Sequence, residues 1–136
     1  MAESRAPAGD LEGVLEELRS LSGEVTSAAV VLGSGELGAS TLAPGIDQQR
    51  YGAMLAALAG LARRTARENG GFSHARIKAA DDEGYVLLVG LEGSATLAAT
   101  TGPDARVGLV LYDMRNARKE VERALGSENG DGGGRS

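Results

Sequence analysis

Few residues in this sequence have the type and spacing to do chemistry. Gly33-Ser34-Gly35-Glu36-Leu37-Gly38 is a literal G-x-G-x-x-G that follows the β-branched run VTSAAVVL. A pyrophosphate site needs a helix to begin at the third glycine, so that free N–H groups and the helix dipole meet the phosphates. Ala39-Ser40-Thr41-Leu42 follows instead, and Pro44-Gly45 arrives before any helix can start, so a hairpin turn is expected there. The G-x-x-x-x-G-K-[ST] phosphate loop is absent, so the chain is not expected to hydrolyse a nucleoside triphosphate itself. His74 is the only histidine, and it has no Ser or Cys motif nearby to serve as a general base would. Asp81-Asp82-Glu83 lacks the spacing of a calcium loop and reads as a solvated hairpin tip. Arg63, Arg64 and Arg67 cluster near the end of a helical stretch, where the dipole stabilises cations by roughly 0.3–1 kcal/mol each. The functional alternative is that they dock on an acidic partner surface, or that one acts as an arginine finger. No catalytic residue, cofactor or metal site is expected.

The element that would position those arginines is the stretch 46–69, IDQQRYGAMLAALAGLARRTAREN. At ~100° per residue, Tyr51, Met54, Leu55, Leu58, Leu61, Ala62 and Thr65 share one side, which is expected to face the core. The remaining circumference is small rather than charged. Gly52, Ala59 and Ala66 recur along one flank, and Ala53, Ala57 and Gly60 along the other. Alanine has the best helix propensity and could fill surface positions for that reason alone, but two small flanks on one helix point to a contact surface.

Around this helix the chain reads as a single domain over 10–125, with polar, Gly-rich tails at 1–9 and 126–136 expected to be disordered. Asp10 is placed to cap a helix whose Leu11, Val14, Leu15, Leu18 and Leu21 keep helical spacing, with Gly23 beyond its end. A strand over 25–32 and the run ELGASTL form a hairpin around Gly33–Gly35. After the long helix, Asp47 in its first turn and Gly70-Gly71 at its end, three strands form a meander. They are 72–79, in which Phe72, His74, Arg76 and Lys78 make one face, then YVLLVGLE, a tight turn at Gly93-Ser94, and ATLAATT. A last helix carries Val107, Val110, Leu111, Met114, Ala117, Val121 and Leu125, and Gly126 is expected to stop it.

The 136 residues include no cysteine, which leaves neither a disulfide framework nor a thiolate zinc site. No run of ~18 apolar residues occurs, so no membrane span is expected and the reading is cytoplasmic. A net charge of −5 with one Phe, three Tyr and no Trp argues against nucleic acid, because phosphate neutralisation and base stacking both lack their residues.

The strand and hairpin AAVVLGSGELGAS, the Ala-rich helix from Tyr51, the strand GYVLLVGLE and the loop TGPDARVG resemble the Roadblock/dynein light chain family, which includes bacterial regulators of small Ras-like GTPases. The resemblance covers about 10–125. It implies an α/β (α+β) fold of profilin or longin type: one five-stranded antiparallel sheet, the long helix on one face and the terminal helices on the other. It also implies a homodimer formed by pairing long helices and the first strand of the meander. On that reading Gly52, Ala59, Ala66, Ser73, Ala75 and Ile77 are the expected dimer interface. Gln49, Ala53, Ala56, Gly60, Arg64 and Arg67 would then face outward as the surface for a small Ras-like GTPase, whose hydrolysis or switch state the dimer would modulate. A structural adaptor with no effect on nucleotide turnover is the alternative.

Overall fold

The computed structural model describes residues 11–41, 48–67, 74–78 and 83–129, with the side chains of 48, 66, 67 and 127–129 excepted. Asp10, Asp47, Gly70-Gly71, Phe72, Ser73, Asp81-Asp82, the segment 1–9 and residues 130–136 of the C-terminal tail lie outside the described residues. The order is α1 (Leu11–Leu21), β1 (Val25–Val31), β2 (Leu37–Ser40), α2 (Gln48–Arg67), β3 (His74–Lys78), β4 (Tyr85–Gly90), β5 (Thr96–Thr101) and α3 (Val107–Asn129). The strands form one antiparallel sheet in the order β2-β1-β5-β4-β3. The fold is therefore the mixed α/β arrangement expected, with β2 and β3 as its two edges.

Alternation along the strands divides the core into two layers. Ala28 and Val30 of β1, Leu87 and Val89 of β4, and Leu97 and Ala99 of β5 pack under α1 and α3. Ala29, Val31, Leu88 and Ala98 face the other way, against Leu55 of α2. A bulge between Val25 and Ser27 lets Val25 join the first layer although Ser27 belongs to the second. Between β1 and β5, Ala28 stands opposite Ala99 and Ala29 opposite Ala98, so small side chains lie on both faces of the sheet.

Three expectations need correction. Leu21 completes the apolar period of α1 yet is 74% exposed, because α1 ends there and the chain turns into β1 through Ser22, whose carbonyl receives the Val25 N–H at 3.0 Å. The last helix runs through Gly126 to Asn129. Gly126 is absent from the glycines with positive φ, so it does not adopt the left-handed conformation that ends a helix, and a helical glycine costs only about 1 kcal/mol against alanine. The core face of α2 is rotated from the expected stripe by roughly 70–80° at ~100° per residue. Leu55 and Ala59 are buried with Gly52, while Met54 and Leu61 are 43% and 57% exposed.

The turns match their residues. Gly35 at φ 95° closes the β1–β2 hairpin, with its N–H on the Leu32 carbonyl at 2.8 Å. Gly93 and Ser94 both have positive φ, 72° and 69°, which is the requirement of a tight hairpin turn between β4 and β5.

Candidate interaction surface on the long helix

The rotation of α2 has a direct cause in the sheet beneath it. Ala29 and Ala98 leave room for close approach, so the helix turns its smallest residues inward and seats only Leu55 fully. A Cβ added at Gly52 would contact Leu37 at 3.6 Å, and Ala59 is 4% exposed. Both residues, expected at an interface between two chains, are spent on packing within one. Ala75 and Ile77 of β3 are half-buried and pack on the same α2-side cluster. The side chain of Ala66 and the whole of Ser73 lie outside the described residues.

Polar contacts fix the helix at both ends. The Tyr51 hydroxyl shares a hydrogen bond with Ser27 Oγ at 2.7 Å, and Ser27 Oγ shares another with Thr100 Oγ1 at 2.6 Å. Toward the other end, Arg63 Nη2 donates to the Ala95 carbonyl and to Thr96 Oγ1, the latter at 3.0 Å. Partial burial lowers the pKa of Arg63 from its ordinary value, although an arginine stays charged throughout the accessible range. Arg63 is thus a clamp on the β4–β5 turn. Of the two clustered arginines whose side chains are described, Arg63 has an internal task and Arg64 is exposed.

The outward face of α2 combines what the sequence analysis assigned to docking with what it assigned to the core. Gln49, Ala53, Gly60 and Arg64 are exposed, Ala56 is half-buried, and the Arg67 side chain is not described. A Cβ at Gly60 would meet nothing within 4 Å. Met54 and Leu61 stand beside these residues, about two turns apart, with Ala57 between them. Sequence reasoning missed them because a seven-residue stripe can be drawn through either of two arcs of an alanine-rich helix. The available signal was that a sheet face lined by Ala29 and Ala98 prefers the small arc. Next to this helix layer β3 pairs with β4 and stands last in the strand order, an edge of the sheet. The hairpin Gly33–Gly38 carries no helix N-terminus, since Leu37 opens β2 instead.

The sequence profile of the Roadblock/LC7 domain matches residues 11–99. The chain belongs to this family. Among solved structures, Myxococcus xanthus MglB superposes with a TM-score of 0.73 at 17% identity, over 86% of this chain and 95% of that one. A Roadblock/LC7 domain from Streptomyces avermitilis is 25% identical, with a TM-score of 0.62 over 81% of this chain and 96% of its own. LokiProfilin1, from its complex with rabbit actin, gives 0.65 at 14% identity over 90% and 96%, which is the profilin-type architecture. No curated protein matches the sequence. Among the described residues of this Roadblock/LC7 protein, no helix is long and apolar enough to cross a membrane.

Proposed function

We propose that this Roadblock/LC7 protein is a non-enzymatic, homodimeric regulator of a small Ras-like GTPase. The observation that carries the reading is the outer face of α2, where Met54 and Leu61 are held in water beside Ala53, Ala57 and Gly60, with Arg64 at the rim. Exposed large apolar residues on a small-residue helix are suited to a second helix approaching closely, and β3, as an edge strand, lies beside the same partner. Two copies joined there would bury Met54, Leu61 and the edge. Gln49, Ala53, Gly60 and Arg64 would then form a two-fold platform, on which a GTPase would dock and have its switch segments held in one conformation. Membership of the family and the likeness to MglB support this assignment of partner. The cytoplasm is the compartment where such a partner works.

Sedimentation at micromolar concentration tests the dimer, and a monomer would remove the composite surface. Nucleotide hydrolysis by the GTPase that co-purifies with the chain tests the regulation. A changed rate on adding the dimer supports it, whereas binding with an unchanged rate makes the protein a structural adaptor.

A further inference from the structure

The sheet face opposite α2 carries α1 and α3, and these helices do not close on one another along their outer surfaces. Between them lies a groove of about 260 Å³. Val14, Leu18 and Ala117 supply its apolar surface, while Glu17 of α1 and Asp113 and Glu120 of α3 supply carboxylates. Leu21 lines one end and is 74% exposed. Four residues before Asp113, on the same side of α3, Leu109 is 47% exposed. Burying a leucine is favourable, so two of them left in water near one groove are a cost that an occupant would relieve. No basic residue lines the groove, and none of its three carboxylates is paired among the described residues.

We propose that this groove docks a short amphipathic helical segment of a partner protein, with apolar side chains seated against Leu21 and Ala117 above the buried Leu18 and Val14, and Lys or Arg side chains facing Glu17, Asp113 and Glu120. Charge selects this occupant over the others. A second copy placed groove to groove by a two-fold axis would set the same carboxylates against each other. The chain's own ends have the wrong chemistry: residues 1–10 and 130–136 contain one arginine each and no Leu, Ile, Val or Phe. The groove lies across the sheet from α2, so its occupant would not compete with a partner on the long helix.

The test uses the full chain and a synthetic Leu/Lys peptide with leucines at helical spacing, against a Leu/Glu peptide of the same pattern, followed by fluorescence anisotropy. The Leu/Lys peptide should bind and the Leu/Glu peptide should not. Glu17→Lys with Glu120→Lys should weaken binding about ten-fold, through lost attraction and new repulsion. Leu21→Ser, at a site too exposed to endanger folding, should weaken it about five-fold. Glu36→Lys with Glu92→Lys makes the same charge change on exposed turns outside the groove and should alter binding less than about two-fold, because such distant charges are screened. Equal losses in the two charge-reversed proteins would show attraction to the net charge of −5 alone and overturn the proposal. So would an unaffected Leu21→Ser protein, or a change in self-association on that substitution with no change in peptide binding.

Discussion

Gly84 can be nothing else. Its φ is 127°, and a Cβ there would lie 1.9 Å from the Thr101 carbonyl oxygen of the neighbouring strand. Gly84→Ala should therefore cost about 3 kcal/mol or more of stability in urea titration, since both the dihedral and the clash must be relieved. Gly126→Ala should instead gain about 0.5–1 kcal/mol, because that glycine is helical and its added methyl meets nothing within 4 Å. The two residues look alike in the sequence, where Gly126 reads as a helix stop and Gly84 as part of a turn. Dihedrals and neighbours from a distant strand separate them, and neither is written locally. Glu24 is a third residue whose role comes from far along the chain. Its carboxylate accepts the Arg106 N–H at 2.7 Å and Arg106 Nε at 2.9 Å, just ahead of α3. These hydrogen bonds, the backbone one first, hold its pKa below the ordinary 4.5. A group with a lowered folded pKa stabilises the fold above its unfolded value and loses that contribution as pH falls through the folded one. The stability difference between the parent and Glu24→Gln, measured by urea unfolding, should thus be full at neutral pH and shrink below 4.5.

At the level of elements, the proposed dimer would have α2 separate packing from association by which side each residue faces. Ala59→Glu forces a carboxylate into a site that is 4% exposed against an apolar sheet, and it should lower the urea midpoint steeply. Leu61→Glu, on the outward side, should leave the unfolding free energy of the single chain within about 0.5 kcal/mol of the parent while weakening the proposed dimer in sedimentation. Equal effects of both would mean that the outward face meets no second chain. The existence, order and type of every element were legible in the sequence, because apolar period, turn residues and Gly-Gly or Pro-Gly punctuation agree along the chain. The rotation of α2 was not. Alanine and glycine carry almost no periodic signal, so the buried arc was settled by the methyl-lined sheet and by Tyr51 and Arg63 reaching their partners, none of which the helix itself records. Gln49, Ala53, Gly60 and Arg64, the residues proposed for docking, were legible as outward positions, whereas Met54 and Leu61 were mistaken for core.

For the whole molecule, the proposed platform is two-fold while a GTPase is not, so one GTPase per dimer is the expected stoichiometry. Arg64→Glu together with Arg67→Glu should slow association of that partner at low salt and much less at high salt, in stopped-flow measurements across ionic strength. An unchanged, equally salt-dependent rate would move the docking face off α2. The sheet's centre holds one more consequence. Its central strand, β5, pairs with β1, Val31 opposite Thr96 and Val25 opposite Thr101, strands from opposite halves of the chain. During synthesis α1, β1 and β2 leave the ribosome long before their central neighbour exists, and their apolar faces wait for it. Such late, long-range closure makes folding slow and leaves an aggregation-prone interval. A fragment ending at residue 95, which has every element through β4, should show no cooperative thermal transition, and the nascent chain would need shelter until β5 has emerged.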